Sequence, residues 1–355
     1  MEGKPAMSSC FARLLAGLAL ALASIIPCAA QTPEQFYAGK SVSIVVPTSP
    51  GGNFDLNARM VSRHLGRFIP GQPSVLVRNM PGAGGMLLAN QFVHTREQDG
   101  LTIAIMERGM PQLAYEGNPN VRFDPLKFNW IGSLSSYAND AYLMLVNDSH
   151  PAKTIADLRK PEMVVRLGGD MPGSTNLTFA ILARDLLKLN VKLIRGYPGA
   201  APMFIAMQGG ELDGQMIGLG SVRGAQPALW NGKKVRPLLQ VGRTSRLAEL
   251  AHIPTGRELL SDPADLALME FAELSFFIAL PFLAPQNVPA DRVAALQKAF
   301  MDMTRDKDFL EDAARSNFEL SPIDGAAVRA VIEKMAATPP AIIRRYVDIV
   351  RQGSE

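Results

Sequence analysis

Apolar residues along this chain fall into short β-branched runs separated by longer stretches at helical spacing. Residues 41–46 (SVSIVV) hold Val42, Ile44, Val45 and Val46 and read as a buried strand, which Pro47 stops. Leu56, Met60, His64, Leu65 and Phe68 then recur with the period of a helix, and Asn53 or Asp55 is placed to cap it. Between strand and helix, Pro50, Gly51 and Gly52 form a turn suited to small or φ-fixed residues. The same order returns at 74–77 (SVLV), followed by RNMPGAGG at 78–85 and an apolar helix start at 86–92. It returns again at 163–167, with GGDMPGST at 168–175 ahead of a helix at 176–189, and at 191–194, with RGYPG at 195–199 ahead of a helix at 200–207. Runs at 101–106, 142–146 and 235–241 predict further strands, the last near a sheet edge because of Pro237. Residues 271–282, carrying Glu273, read as a buried return strand. Helices are expected at 291–303, 306–314 and 324–350, the last interrupted by Pro339 and Pro340.

Alternating strands and helices predict an α/β protein with mostly parallel sheets. Each glycine-rich loop then lies at the carboxyl end of a strand, where first-turn amides are unpaired and the helix dipole favours an anion. The loops form two groups, 47–55 with 78–86 and 168–176 with 195–200. Each group is expected at a sheet edge of its own domain, facing the other across a cleft, with boundaries near Asp140 and Glu270 and the C-terminal helices returning to the first domain. Gly51 and Gly52, and Gly82, Gly84 and Gly85, are candidates for holding an anion through backbone amides. Ser174 and Thr175 add hydroxyl donors. Asp55 is either a helix cap or a ligand group, and in the second role it repels a carboxylate unless a water or a ligand amine intervenes. Tyr197 either touches ligand or lines the hinge, and Asp213 is either a hinge or pocket residue or a turn former.

Composition narrows the classes. The 355 residues, 47% hydrophobic and 19% charged, suffice for two cored domains. A formal net charge of +3 without a basic patch does not point to nucleic acid, and 7% aromatics argues against stacking platforms. Lys4 and Arg13, the apolar stretch 14–26 and Cys28-Ala29-Ala30 read as a cleaved signal peptide over residues 1–30. A lipid anchor through Cys28 is a weaker fit, because Pro27 precedes it. Both cysteines, Cys10 and Cys28, lie in that segment, so the mature chain is expected to have no disulfide, thiolate metal site or cysteine nucleophile. The four histidines, His64, His94, His150 and His252, have no metal-ligand spacing. No G-x-S-x-G is present, and Gly82, Gly84 and Gly85 are too closely spaced for the G-x-G-x-x-G dinucleotide fingerprint.

PTSPGGNFDLNAR at 47–59, VRNMPGAGG at 77–85 and DGLT at 99–102 resemble the N-terminal motifs of the Bug/TctC substrate-binding proteins of tripartite tricarboxylate transporters. RGYPG at 195–199, GGELDG at 209–214 and PFLAP at 281–285 resemble further positions of that family, so the likeness runs over about residues 38–350. It implies a two-lobed periplasmic-binding-protein fold of the Venus flytrap, type II-like kind, with the ligand cleft between the lobes. Lobe 1 is expected at 38–140 plus 271–355 and lobe 2 at 141–270. The implied function is capture of a small carboxylate in the periplasm (a di- or tricarboxylate, an acidic amino acid or an aromatic acid). Delivery would be to a membrane permease of one large and one small subunit, by a monomer without catalysis or cofactor. Carried over by motif, the ligand-binding residues are Pro50, Gly51, Gly52, Asn53, Phe54 and Asp55, with Ala83, Gly84 and Gly85, from the first lobe. Ser174, Thr175 and Asn176 come from the second, with Tyr197 and Asp213 lining. The chain departs from the pattern at Asn53-Phe54, where the family has a small Gly-Thr or Gly-Ser pair, and at Asn176 and Thr178, where a histidine is common. Two rival readings predict differently: a sensor with the same pocket that docks a membrane kinase, and an exported α/β hydrolase of carboxylate or phosphate esters, for which Ser174 lacks a sequence-evident histidine.

Overall fold

The computed structural model describes residues 31–94 and 98–354, so the expected leader at 1–30 and its two cysteines lie outside the described residues. The strands in chain order are β1 (Ser41–Val46), β2 (Ser74–Asn79), β3 (Thr102–Ile105), β4 (Asn129–Ser133), β5 (Tyr142–Asn147), β6 (Val165–Gly169), β7 (Val191–Arg195), β8 (Gly214–Gly218), β9 (Val235–Val241), β10 (Pro281–Ala284) and β11 (Ile323–Asp324). They form two sheets, β11-β4-β10-β3-β1-β2 and β7-β6-β8-β5-β9.

In the first sheet β1 runs parallel to both β2 and β3. Its side chains alternate between faces. Val42, Ile44 and Val46 join Met60, Leu65 and Phe300 in one core, while Val45 joins Leu88 and Phe92 in another. Burial on both faces explains a strand that is apolar at nearly every position. The second sheet repeats the arrangement. Met144 and Val146 face one core with Leu182, and Leu143 and Leu145 face another with Met203 and Phe204.

The sheets are mixed rather than mostly parallel. Each has a parallel block of three strands, β2-β1-β3 and β7-β6-β8, extended by an antiparallel strand that enters from the other sheet's side. That strand is β10 against β3 in the first sheet and β5 against β8 in the second. The predicted return strand at 271–282 is mostly helical. Asp262 accepts the N–H groups of Ala264 and Asp265, Pro263 opens the helix Pro263–Glu273, and a tighter turn, Leu274–Ile278, follows before the short β10. From Phe271 to Phe276 every residue is buried, so this helical run shows no polar face and reads like a buried strand. β4, sequence NWIGS, escapes the pattern because Ile131 is its only β-branched residue, and β11 because it has two residues. Pro237 does sit in an edge strand, β9.

Pro339 and Pro340 divide the last apolar run into helices Gly325–Ala336 and Pro340–Ser354. The first packs on β4. The second packs on helices Thr175–Asp185 and Pro263–Glu273, so it leaves the first sheet and lies beside the second.

The two crossovers between sheets bond to each other. Leu134 N–H donates to the Leu280 carbonyl at 3.1 Å and Ala279 N–H to the Ser135 carbonyl at 2.9 Å. Arg243 clasps the first crossover, its Nη1 donating to the carbonyls of Tyr137 (2.9 Å), Ala138 (3.0 Å) and Asp140 (2.6 Å). Among the described residues no helix is long and apolar enough to cross a membrane.

Candidate functional site

The loop after β1 is fastened from beneath. Gly51, at φ +84°, donates its N–H to an Asp55 carboxylate oxygen at 2.8 Å. The same carboxylate accepts from Arg59 Nε (2.9 Å) and from Asn79 Nδ2 (2.8 Å), at the end of β2. Asp55 is only 1% exposed. The Arg59 bond, opposed by burial and helped by Gly51 and Asn79, lowers its pKa to about 2. Gly52, not Asn53 or Asp55, occupies the N-cap of helix Asn53–Leu65. Asp55 is therefore a buckle between the β1 loop and β2, and the Gly51 amide is already committed. The amides left facing outward by position are those of the helix's first turn, Asn53 and Phe54. Asp55→Ala is expected to destabilise the protein by about 1–3 kcal/mol, since three donors lose their acceptor. Asp55→Asn gives a companion result in acid melts. A depressed carboxylate contributes stability that is complete above its ordinary pKa of 3.8 and is lost as pH falls through about 2. That part of the pH dependence should disappear in the variant.

The second glycine loop is a run of positive φ: Gly82 at 158°, Ala83 at 47°, Gly84 at 62° and Gly85 at 97°. Gly85 is where the strand ends converge. A Cβ there would lie 3.4 Å from Pro47 Cβ, after β1, and 3.4 Å from Glu107 Cβ, after β3. Glu107 turns its carboxylate onto the start of the next helix, accepting the Gly109 N–H at 2.6 Å. Burial pushes its pKa up, against the pull of Arg108 and of those amides.

Arg108 is the group that sequence reasoning missed. It projects from the end of β3, stacks with its guanidinium carbon 4.4 Å from the Phe276 ring centre, and donates from Nη2 to Thr175 Oγ1 of the other lobe at 3.3 Å. Burial works against its charge, but Tyr137 and Glu107 beside it outweigh that and keep it protonated. A cleft of about 620 Å³ opens here. Asn53, Phe54 and Asn57 line it from the first lobe, Gly218, Gly220 and Ser221 from the second, and Tyr137, Asp140 and Tyr142 from the crossover and β5. A larger cavity, about 840 Å³, lies under β2 between Arg78, Leu87, Phe92 and Arg122. Among the described residues none from the second sheet walls it, so lobe closure cannot act on it.

Of the residues singled out by sequence, Asn53 and Phe54 line the cleft, Pro50, Gly51 and Gly52 form the turn beside them, and Thr175 meets Arg108. Gly85 abuts Glu107, and none of Ala83, Gly84 and Gly85 lines the cleft itself. Ser174 Oγ and Asn176 Oδ1 bond to each other at 2.7 Å, which rigidifies their loop. Tyr197 packs on the outer core of the second sheet with Met203 and Phe204. Asp213 precedes β8, at the end of the sheet away from the glycine loops. There it holds Arg166 through Nε (2.9 Å) and Nη2 (2.7 Å) and accepts the Arg166 N–H at 2.8 Å. It is a structural ion pair rather than a pocket residue. The only local sign of Arg108 was a charged pair, Glu107-Arg108, directly after a buried strand.

A 30% identical relative, a UPF0065 protein from the TAR-I ttuE-ttuC' intergenic region of Agrobacterium vitis, aligns over 55% of this chain and 55% of its own length. The match thus spans little more than half of that relative. A UPF0065 protein of Bordetella pertussis is 23% identical over 91% of this chain and 95% of its own. Among solved structures, a TctC solute-binding protein from Polaromonas superposes with a TM-score of 0.68 at 18% identity, covering 89% of this chain and 99% of that one. MatC from Rhodopseudomonas palustris with bound malate superposes at 0.56 with 22% identity, covering 88% and 99%. An R. palustris protein with adipate does so at 0.57 with 20% identity, covering 89% and 97%. These likenesses establish the two-lobed periplasmic-binding-protein fold. Residues 58–347 match the family described as tripartite tricarboxylate transporter family receptor, TctC, and the chain is a member of that family of solute-binding proteins.

Proposed function

We propose that this protein captures a small organic carboxylate outside the cytoplasm and delivers it to a tripartite-type membrane permease, without turning it over. In this reading residues 38–140 and 271–355 form one lobe and 141–270 the other, with the last helix lying against the second. The leader at 1–30 directs export. The observation that carries the reading is Arg108. It is a half-buried cation at the meeting point of the strand ends, reaching across the cleft to Thr175. A carboxylate entering there finds that guanidinium and the first-turn amides of Asn53 and Phe54, and both favour a negative charge. Closing the lobes excludes water and strengthens these contacts. Malate in MatC and adipate in the R. palustris neighbour support a carboxylate as the ligand class. Binding rather than hydrolysis is favoured because the Ser174 hydroxyl is spent on Asn176 and, among the described residues, no histidine lines the cleft.

The test is mass spectrometry of whatever is released on denaturing protein that was purified without refolding. A stoichiometric small carboxylate is expected. Release of a phosphate ester or nucleotide would overturn the assignment.

A further inference from the structure

The cleft is not uniformly suited to anions. Asp140, at the end of the first crossover, and Glu319, on the first-lobe rim, both line it. They converge over Gly220 of the second lobe, where a Cβ would lie 3.2 Å from Asp140 Oδ2 and 3.6 Å from Glu319 Oε2. Asp140 Oδ1 is occupied by the N–H groups of Ala141 (2.7 Å) and Gly220 (3.1 Å), which leaves Oδ2 for the cleft. The nearby cations are engaged elsewhere. Arg223 pairs with Glu249, and Arg243 is spent on the crossover carbonyls. Among the described residues neither Asp140 nor Glu319 has an ion-pair partner.

A second observation is independent of these charges. Asn57 lines the same cleft and is 1% exposed. Its Nδ2 gives its hydrogens to the Asn53 carbonyl (2.8 Å) and Asn53 Oδ1 (3.1 Å), which fixes the orientation of the amide. Its Oδ1 is buried without a donor. A buried acceptor left unpaired is destabilising, so a donor arriving with the ligand is favoured there. Arg108 and the first-turn amides of Asn53 and Phe54 favour negative charge in one part of the cleft; Asp140, Glu319 and Asn57 Oδ1 present acceptors and negative charge. A second ligand carboxylate would meet Asp140 and Glu319 and be repelled.

Resting on the binding-protein reading above, we infer that the ligand is a monocarboxylate carrying a separate cationic nitrogen, its carboxylate on Arg108 and its ammonium held by Asp140, Glu319 and Asn57 Oδ1. This makes the favoured ligand zwitterionic overall, unlike a di- or tricarboxylate.

Titration calorimetry on the ligand-free full chain tests it with matched pairs: 4-aminobutanoate against glutarate and 5-aminopentanoate against adipate. The amino acids are expected to bind at least tenfold more tightly than the diacids of matching chain length. Glu319→Gln, a change at an exposed position, should reduce that preference several-fold, and Asp140→Asn, which keeps the Oδ1 acceptor, should reduce it further. Tighter binding of the diacids, or a preference unmoved in both variants, overturns the inference while leaving carboxylate binding intact. Release of an acid without basic nitrogen from the native protein also overturns the inference alone. Release of a non-carboxylate removes the underlying reading as well.

Discussion

Arg108→Ala is expected to weaken binding of the native carboxylate by roughly 30- to 4000-fold. The range corresponds to about 2–5 kcal/mol for truncating one partner of a desolvated charge pair. Arg108→Lys should recover part of the loss, because an ammonium keeps the charge but not the planar fork that matches a carboxylate. Calorimetry with the acid recovered from the wild-type protein measures both. The stacking on Phe276 and the bond to Thr175 allow a competing outcome. If Arg108 only props the lobes together, Arg108→Ala lowers the melting temperature and leaves Kd where it was. An unchanged Kd would remove the residue from the binding site.

The largest effect on stability is expected at Arg257. Its Nε donates to Glu273, whose side chain is 0% exposed and whose other carboxylate oxygen accepts the Gly242 N–H at 2.9 Å. Arg257→Met strands that carboxylate in the core beside the hinge, at a cost of about 3–5 kcal/mol. The sign of the pH dependence follows from the shift. Burial raises the Glu273 pKa, and Arg257 opposes it. Without the arginine the pKa rises further, so the penalty is absent below the ordinary glutamate value of 4.5 and grows as pH climbs towards the new, higher one. Urea melts should therefore show variant and wild type nearly matched at pH 4 and furthest apart at neutral pH. Arg257→Met combined with Glu273→Gln removes the stranded charge, keeps the acceptor for Gly242 and should restore most of the loss.

Parts of the molecule that depend on neighbouring residues alone were legible along the chain. SVSIVV is a strand because β-branched residues with no polar face fit a sheet covered on both sides. Gly82, Gly84 and Gly85 mark a loop because their backbone runs through positive φ. Pro339 and Pro340 split a helix because proline lacks an N–H. The misreading of 271–282 has the converse cause. A helical run buried at every position, as 271–276 is, carries no periodic signal, and only the Asp262-Pro263 start upstream betrays it.

The candidate site divides in the same way. Asn53, Phe54 and the glycine loops follow from strand, turn and helix start, all local features. The role of Asp55 does not, because its bond to Asn79 spans 24 positions and turns a candidate ligand group into a structural one. Asp213 looked like a pocket residue until sheet order put it at the far end, against Arg166. Arg108 and Thr175 are 67 positions apart, and Asp140 and Gly220 are 80 apart. The amino-acid sequence alone determined the strand-loop-helix units and the family they resemble, because short-range sterics and burial periodicity act within a few residues. Only the tertiary structure decided which charges face one another across the cleft. Strand order and lobe apposition bring together residues whose separation along the chain carries no signal of their contact.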